Sequence, residues 1–250
     1  MKVLYIDFEQ GYKSLGSNED IKNSFGYPMV QFDKYSDFKT LLGSLFERKI
    51  VQQDVQIGSV KVPQESTRWV RKPGVELDCI VLDTGTELVK KYQRELQGTK
   101  DKLTIQQWGQ IKNQLDVLMN VVNQLPCSVI VNTHVKPMRD EELGIQKLYP
   151  AIEGSTKEDI GKWFDFVLYT KVEKDKTGKR NYIWVTARDE RYCHAKDRSQ
   201  SLKTEMLQDY SQVFDVVKSK GWDNAKVLCI GDPGSGKTLS LKTINKEGSK

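Results

Sequence analysis

The stretch GDPGSGKT, residues 231–238, fits the spacing GxxxxGK[ST], which is typical of loops that bind nucleotide phosphates. In such a loop, glycines let backbone N–H groups turn toward the β-phosphate, the lysine reaches the β and γ oxygens, and the final hydroxyl ligates Mg²⁺. A strand-like run, KVLCI, precedes the stretch and a helix-like run follows it, which argues against a chance glycine-rich turn. The sequence therefore predicts a catalytic Lys237, a metal ligand at Thr238, and nucleotide contacts from Gly231, Asp232, Pro233, Gly234, Ser235, Gly236, Lys237, Thr238 and Leu239.

Two acidic residues follow other strand-like runs and would complete a site for phosphate hydrolysis. The run CIVLD ends at Asp83, whose carboxylate would hold the water shell of Mg²⁺ beside Thr238; the alternative is an acid that caps a helix. In VLYIDFEQG, Glu9 lies just past a strand and could orient or deprotonate the attacking water. Asp7 is its rival at the same strand end, and a solvent-facing loop acid is the simpler interpretation of Glu9.

Three further residues are candidates on less specific patterns. The run VIVNTH places His134 at the end of another strand, where it could sense a γ-phosphate, although a single histidine is often only a surface residue. In HAKDR, Lys196 and Arg198 could form a cationic finger that reaches the nucleotide of a neighbouring subunit and stabilises phosphoryl transfer. A solvated basic surface is the alternative interpretation of this pair.

The elements that must position these residues alternate between strands and helices, which predicts an α/β fold. Near-continuous apolar runs indicate parallel strands covered on both faces. The predicted strands are Val3–Asp7, Cys79–Asp83, Cys127–Thr133, Phe164–Thr170 and Lys226–Gly231. The predicted helices are Ser36–Arg48 with Ser36 as N-cap, Thr86–Leu96, Thr104–Leu125 before Pro126, and a short helix after the phosphate loop that Gly248 ends.

Three segments interrupt this alternation. Residues 50–76 are predicted to be a hairpin or an irregular insertion, with basic residues in TRWVRKP. Residues 135–162 are polar and mixed in charge, which favours a mobile loop. Residues 164–187 are two strands around the turn KDKTGK, which predicts an antiparallel hairpin.

Composition excludes some classes of protein and leaves others open. The chain of 250 residues carries a net charge of +5, an excess that permits a nucleic-acid partner without requiring one. No window approaches the roughly 18 apolar residues of a membrane-spanning helix, so we expect no membrane partner. The start MKVLYIDFEQG has no apolar signal core, and four cysteines form no CxxC pair, so we expect a cytoplasmic protein with reduced thiols.

With residues 222–250 moved to the front, the motifs fall into the order of a known family. The order is then GDPGSGKT, VLYIDFEQG, CIVLDT, the block WGQIKNQLDVLMNVVNQLPCSVIVNTHVKP, FDFVLYT and HAKDRSQSL. It resembles the RecA-like P-loop ATPases, and most closely the small phage-type proteins linked to single-strand annealing and recombination; residues 20–75 match weakly. The sequence thus looks like a circular permutant, a single domain over residues 1–250 in which 222–250 supply the first strand, the phosphate loop and the first helix. We then expect residues 227–230 to form an interior strand beside residues 127–133, and residues 1 and 250 to lie close together.

The resemblance implies a mostly parallel sheet flanked by helices with a terminal antiparallel hairpin, and ATP hydrolysis with Mg²⁺ as the activity. It also implies single-stranded DNA as a partner, a homo-oligomer with nucleotide sites between subunits, and the host cytoplasm as the location if a phage encodes the chain. The segment 135–162 lies where RecA-like proteins contact DNA, and its cations and one aromatic residue would suit that role: Lys136, Arg139, Lys147, Tyr149, Lys157 and Lys162. Its acids, Asp140, Glu141, Glu142 and Glu153, oppose it, and a solvated lid is the alternative interpretation. The alternative function is a nucleotide-dependent switch or assembly module with a protein partner and slow hydrolysis.

Overall fold

Strands and helices alternate through most of the chain, and their bounds come from a computed structural model that describes residues 1–142, 144–152 and 156–245. The helices are α1 (Asn18–Phe25), α2 (Tyr35–Leu45), α3 (Gly85–Gln97), α4 (Ile105–Gln124), α5 (Thr156–Asp159), α6 (Tyr210–Ser219) and α7 (Lys237–Ser240). The strands are β1 (Val3–Asp7), β2 (Val30–Gln31), β3 (Phe46–Ile57), β4 (Val60–Arg71), β5 (Cys79–Asp83), β6 (Ser128–Thr133), β7 (Val135–Asp140), β8 (Ile145–Pro150), β9 (Phe166–Lys174), β10 (Arg180–Val185), β11 (Lys196–Asp197), β12 (Glu205–Leu207) and β13 (Lys226–Ile230).

One large sheet organises the described part of the chain, with the strand order β12-β10-β9-β13-β6-β5-β1-β2 and β11 paired to β9. The six strands from β9 to β2 are parallel, whereas β10 and β12 are antiparallel additions at one edge. The predicted α/β class with a mostly parallel sheet is therefore confirmed. The predicted hairpin between 164 and 187 is also confirmed as β9 and β10.

The strand β13 is interior, as expected from the sequence, with β6 on one side and β9 on the other. Its residues are all buried. The strand that carries the phosphate loop is thus covered on both edges by chain from earlier in the sequence. The position of residue 250 cannot be compared with the expectation, since it lies outside the described residues.

Helices cover both faces of the sheet and create two apolar cores. Alternate side chains of β1 divide between them: Leu4 and Ile6 face one core, and Val3 and Tyr5 face the other. The first core is completed by α2, α3 and α4, and the second by α1 and α6. The cysteines at 79, 127 and 229 are buried and free, as predicted for reduced thiols. In the described residues, no helix combines the length and apolar character needed to cross a bilayer.

The helix predicted over Ser36–Arg48 is shorter and is not capped by Ser36. It runs from Tyr35 to Leu45, and its N-cap, Lys34, makes no side-chain capping bond. The N–H of Ser36 instead donates to Glu95 on the neighbouring helix α3. The helix ends before Phe46, which is buried and begins the long strand β3.

The segments that interrupt the alternation have regular structure. Of the two alternatives for residues 50–76, the structure has the hairpin, formed by β3 and β4. Residues 135–162, expected to be a mobile loop, contain the antiparallel pair β7–β8 and helix α5, although residues 143 and 153–155 lie outside the described part. Here paired strands satisfy the backbone groups that an irregular loop would leave to water. The mobility of this segment stays a prediction.

Candidate functional site

The carboxyl ends of the parallel strands bring the predicted site residues to one edge of the sheet. Asp7 of β1 is paired with Asp83 of β5, which is paired with Asn132 of β6. The loop that follows β13 leaves the sheet at the same edge, where Ile230 is paired with Thr133. A cleft of about 380 Å³ opens there. It is lined by Glu9, Gly11, Ser14, Asp83, Thr84, His134, Tyr182, Pro233, Gly234, Gly236, Lys237, Thr238 and Leu239.

Two glycines of the phosphate loop are required by their surroundings. A Cβ atom on Gly231 would lie 1.5 Å from the Thr170 hydroxyl oxygen of β9. Gly236 has φ +91°, and a Cβ atom there would lie 2.7 Å from the ring of Tyr182. Any other residue would displace the loop from the sheet at the first position and strain the backbone at the second.

The loop is also held by side chains from the neighbouring strand β9 and from the residue that follows β12. Thr170 donates to the Ser235 hydroxyl at 2.5 Å, and the Gln208 amide donates to the Ser235 carbonyl at 2.9 Å. The sequence gives no local signal for either contact. The strand β9 and the residue that follows β12 therefore fix the conformation of the phosphate loop.

Lys237 is folded back on its own loop. Its ammonium donates to the carbonyls of Gly231 at 2.8 Å and Asp232 at 2.9 Å, and only 5% of the residue is exposed. Burial lowers the pKa of Lys237. A phosphate entering the loop would replace these carbonyls as the partner of the charge. The helix that begins here is shorter than predicted, since α7 passes into a 3-10 turn at Leu241–Thr243, and the predicted end at Gly248 lies outside the described residues.

Asp83 and Thr238 meet where a metal ion would bind. The Thr238 hydroxyl donates to Asp83 Oδ2 at 2.6 Å, and the Tyr5 hydroxyl donates to the same oxygen at 2.9 Å. The Asn132 amide donates to Asp83 Oδ1 at 3.0 Å. Burial raises the pKa of Asp83, while these three hydrogen bonds act in the opposite direction.

The donors at this point suit Mg²⁺ rather than a metal held by protein ligands alone. A hydroxyl and a carboxylate are hard oxygen ligands, and Mg²⁺ usually completes its shell with water and substrate phosphates. In the residues described, no cluster of three or more His, Cys, Asp or Glu side chains could hold a metal ion. Thr238 and Asp83 are thus the residues that would hold Mg²⁺, directly and through water.

Glu9 and His134 form a pair across the cleft. Glu9 Oε1 lies 2.5 Å from His134 Nε2, with 26% and 21% of the two side chains exposed. Burial would raise the pKa of Glu9, but the hydrogen bond and charge of His134, a hydrogen bond from Thr84 and the charge of Lys237 hold it below its usual value. Glu9 is therefore a carboxylate at neutral pH, as a proton acceptor must be.

Asp7, the rival of Glu9, has a different role in the structure. Its carboxylate accepts hydrogen bonds from the backbone N–H groups of Glu9 at 2.9 Å, Gly11 at 3.2 Å and Tyr12 at 3.2 Å. Only 2% of the residue is exposed. Asp7 thus shapes the turn that presents Glu9, and both of its oxygens are occupied.

Sequence reasoning missed several residues of the site, and two of them lie close to Asp83. Tyr5 supplies a hydroxyl to Asp83 from inside a buried strand, and its polar end in an apolar run was the available signal. Gly11 approaches the metal ligands, since a Cβ atom there would lie 3.5 Å from the Thr238 hydroxyl oxygen and 3.6 Å from Asp83 Oδ2. A side chain at position 11 would occupy space beside Thr238 and Asp83, the two candidate metal ligands.

Lys196 and Arg198 are not brought to this cleft. They lie on and after β11, which pairs with the first residues of β9. These residues are at the amino ends of the parallel strands, whereas the phosphate loop follows the carboxyl end of β13. The Lys196 ammonium donates to the carbonyls of Gly161 at 3.2 Å and Phe164 at 2.8 Å, and Arg198 pairs with Asp165 at 2.7 Å. Burial and the charge of Arg198 lower the pKa of Lys196. A role on a neighbouring subunit stays a prediction.

Comparisons with known proteins bear on the same residues. A family model described as an AAA domain matches residues 1–199, a segment that contains Glu9, Asp83 and His134 and ends before the phosphate loop. The comparisons with curated proteins and with solved structures give no match.

Proposed function

Because the chain belongs to the AAA domain family of P-loop ATPases, we propose that it binds ATP with Mg²⁺ in the cleft and hydrolyses the γ-phosphate. The observation that carries this proposal is the 2.6 Å hydrogen bond between Thr238 and Asp83, residues 155 positions apart. It joins the phosphate loop to a buried carboxylate, so these two residues would hold Mg²⁺ beside a bound phosphate. Bound Mg²⁺ would neutralise charge on the transferred phosphate.

Residues of the chain would bind the phosphates, accept the proton of water and contact the γ-phosphate. The backbone N–H groups of residues 234–238 and the ammonium of Lys237 would surround the β- and γ-phosphates. Glu9 would accept the proton of the attacking water, since its carboxylate is ionised and lies in the same cleft. His134, held by Glu9, would exchange that partner for a γ-phosphate oxygen and so free Glu9 to bind water.

We further propose single-stranded DNA as the partner, in phage-type recombination or annealing. The support is a direct connection between the cleft and the β7–β8 hairpin. His134 immediately precedes β7, and its carbonyl accepts the N–H of Ala151, which follows β8. A movement of His134 toward a γ-phosphate would therefore shift the base of a hairpin that carries several cations. Two of them are partly neutralised, since Lys147 pairs with Asp140 and Arg139 with Glu141.

Single-stranded DNA should raise the rate of ATP hydrolysis, and the affinity for DNA should fall steeply with salt. Each phosphate neutralised on a single strand contributes a slope of about −0.7 in a log–log plot. Replacing Lys136, Arg139 and Lys147 by alanine should make that slope shallower, whereas alanine at Lys176, in the β9–β10 turn, should not. The fluorescence anisotropy of a labelled oligonucleotide, followed from low to high salt, measures this slope for the triple variant and for the Lys176 control. ATP hydrolysis that DNA leaves unchanged, with no binding at low salt, would favour the switch or assembly module.

We also propose that the chain is a RecA-like domain in circularly permuted order. Three observations support this: β13 lies between β6 and β9, the family match ends before the phosphate loop, and the Asn245 amide donates to the Met1 carbonyl at 3.0 Å. Asn245 lies two residues beyond the 3-10 turn that follows α7, and its contact with Met1 places it beside the start of β1. It also donates to the Ser24 carbonyl at 2.6 Å.

Restoring the family's order should preserve the fold. A variant that joins residue 250 to Met1 by a short Gly-Ser linker and begins at Trp222 should unfold cooperatively and bind ATP like the parent chain. The new opening lies in a turn, since Gly221 has φ +66°. A control carries the same linker between residue 250 and Met1 but begins in the β9–β10 turn, at Gly178. It tests whether the linker is tolerated, independently of the new chain start at Trp222. Circular dichroism that shows both variants unfolded would contradict the permuted order.

A further inference from the structure

Tyr5 carries a hydroxyl group into an apolar core. The residue is fully buried in β1, and its ring centroid lies 6.3 Å from that of Phe25. The other buried side chains of this core are apolar. A buried hydroxyl costs free energy unless it has a hydrogen-bond partner, and phenylalanine would fill the same space without that cost. Packing alone therefore does not account for a tyrosine at this position.

The partner of this hydroxyl is the carboxylate of Asp83. In the register of the sheet, Tyr5 lies opposite Val81, and Asp83 comes two residues later on the same face of β5. The tyrosine ring spans that offset, so its hydroxyl donates to Asp83 Oδ2 at 2.9 Å. A serine or threonine side chain would be too short to reach this oxygen, and phenylalanine has no donor. Position 5 thus combines a side chain of core size with a donor at its far end.

Hydrogen bonds from the chain occupy three of the roughly four acceptor positions of the Asp83 carboxylate. Oδ2 accepts from Thr238 at 2.6 Å as well as from Tyr5, and Oδ1 accepts from the Asn132 amide at 3.0 Å. The described residues therefore leave one acceptor position open, on Oδ1. Donors on both oxygens also fix the rotation of the carboxylate, because turning it would break hydrogen bonds on each side.

Tyr5 does not reach the cleft itself. Asp83 and Thr238 line the cleft, whereas Tyr5 is not among its lining residues and has no exposed surface. The hydroxyl of Tyr5 can therefore affect a bound ligand only through the carboxylate that it contacts.

We propose that Tyr5 is a positioning residue for Mg²⁺. Its hydroxyl, together with that of Thr238, saturates Asp83 Oδ2 and so leaves Oδ1 to accept a water of the metal's shell. The inference rests on the proposed function, since it requires Mg²⁺ and ATP in the cleft. Mg²⁺ is usually held by only one or two carboxylates, so the orientation of a single carboxylate affects its affinity. Hydrogen-bond partners of metal-binding side chains typically contribute about 10–100-fold to metal affinity or activity.

The affinity for a non-hydrolysable ATP analogue, measured by calorimetry in excess Mg²⁺ and again in EDTA, tests this role. Tyr5→Phe should lower the affinity in Mg²⁺ by about tenfold, the lower end of the usual range, and leave the affinity in EDTA unchanged. Tyr169→Phe is the matched control, since Tyr169 is also buried and its hydroxyl donates to the Leu148 carbonyl at 2.7 Å. This control should bind the analogue like the parent chain in both conditions.

A double-mutant cycle tests whether the hydroxyl acts through Asp83. Asp83→Asn should itself lower the affinity in Mg²⁺, and adding Tyr5→Phe to it should cause no further loss. A full additional loss in the double variant would show that Tyr5 acts independently of Asp83, and it would overturn the inference.

The remaining outcomes separate this inference from the proposed function. A Tyr5→Phe chain that is unfolded by circular dichroism, or that loses affinity equally in Mg²⁺ and in EDTA, would limit the hydroxyl to a role in the fold and overturn the inference. An affinity in Mg²⁺ equal to that of the parent would overturn it while the proposed function stands. A parent chain that binds the analogue in neither condition, or whose affinity Mg²⁺ does not raise, would overturn both.

Discussion

Replacing Glu9 by glutamine should lower the rate of ATP hydrolysis by about 10²–10⁴-fold, the usual effect of losing a general base. ATP binding should persist, because glutamine has the same shape and the phosphate contacts come from the loop at 231–238. The structure supports this separation of hydrolysis from binding, since the hydrogen-bond partner of Glu9 is His134, at 2.5 Å, and not the phosphate loop. Single-turnover hydrolysis measures the expected loss of rate, and equilibrium binding of ATP to the same preparation measures the expected retention of affinity.

Asp7→Asn is the matched control, since Asp7 lies two residues away and is the rival acid. Its carboxylate accepts three backbone N–H groups, and an amide can accept with only one of its two end atoms. We expect Asp7→Asn to lower the melting temperature and to reduce activity only as far as the turn is distorted. Suppose that Glu9→Gln hydrolyses ATP normally while Asp7→Asn loses hydrolysis but keeps its melting temperature. Asp7 would then be the proton acceptor, and Glu9 would not.

The pH dependence of kcat/KM for hydrolysis, which reports the enzyme before ATP binds, should follow the depressed pKa of Glu9. The folded pKa lies below the ordinary value for glutamate, so the carboxylate stays ionised at neutral and mildly acidic pH. Its function as proton acceptor is therefore lost only as the pH falls below that ordinary value. His134→Ala removes the pairing partner, so it should move the acidic limb of the rate profile to higher pH.

Sequence patterns predicted the central strands well because burial on both faces leaves a continuous apolar run. β1 and β5 have the predicted bounds, and β6, β9 and β13 differ only at their ends. The helix α1 was missed because it buries only Ile21 and Phe25, too few residues to produce a visible period. Its N-terminus did carry a signal, since Ser17 and Asp20 form a capping box. The hairpin β7–β8 was missed because its mixed charges conceal the strand alternation.

The site was predictable where each residue follows its own motif, and not where contacts join distant parts of the chain. The phosphate loop is a local pattern, and Glu9 and Asp83 end visible strands. The contact of Thr170 with Ser235 depends on β9 lying beside β13, which no local pattern indicates. The internal partners of Lys196 likewise depend on the pairing of β11 with β9, so a KxR pattern alone could not reveal them.

Lys237→Ala should abolish ATP hydrolysis and weaken ATP binding while the chain remains folded. The ammonium contacts only the carbonyls of Gly231 and Asp232 within the described residues, so its removal deprives the loop of a charge that phosphate needs. The loop keeps its support from Thr170 and Gln208. Lys242→Ala, an exposed lysine just beyond α7, is the control and should hydrolyse ATP normally. Circular dichroism measures the fold, and calorimetric titration measures ATP binding. Full ATPase activity in Lys237→Ala would contradict the proposal that this loop binds the ATP that is hydrolysed.

The same variant tests the cationic finger. Lys237→Ala keeps Lys196 and Arg198, whereas Arg198→Ala keeps a complete phosphate loop. If a finger acts between subunits, mixing the two inactive proteins should restore part of the hydrolysis, because some interfaces then combine an intact loop with an intact finger. The rescue should grow with protein concentration, since it requires assembly. Arg198 must leave Asp165 to reach a neighbour, so Asp165→Asn should not weaken the rescue. Mixtures that stay inactive at every concentration, while sedimentation shows that they assemble, would leave Arg198 as a residue that only pairs with Asp165.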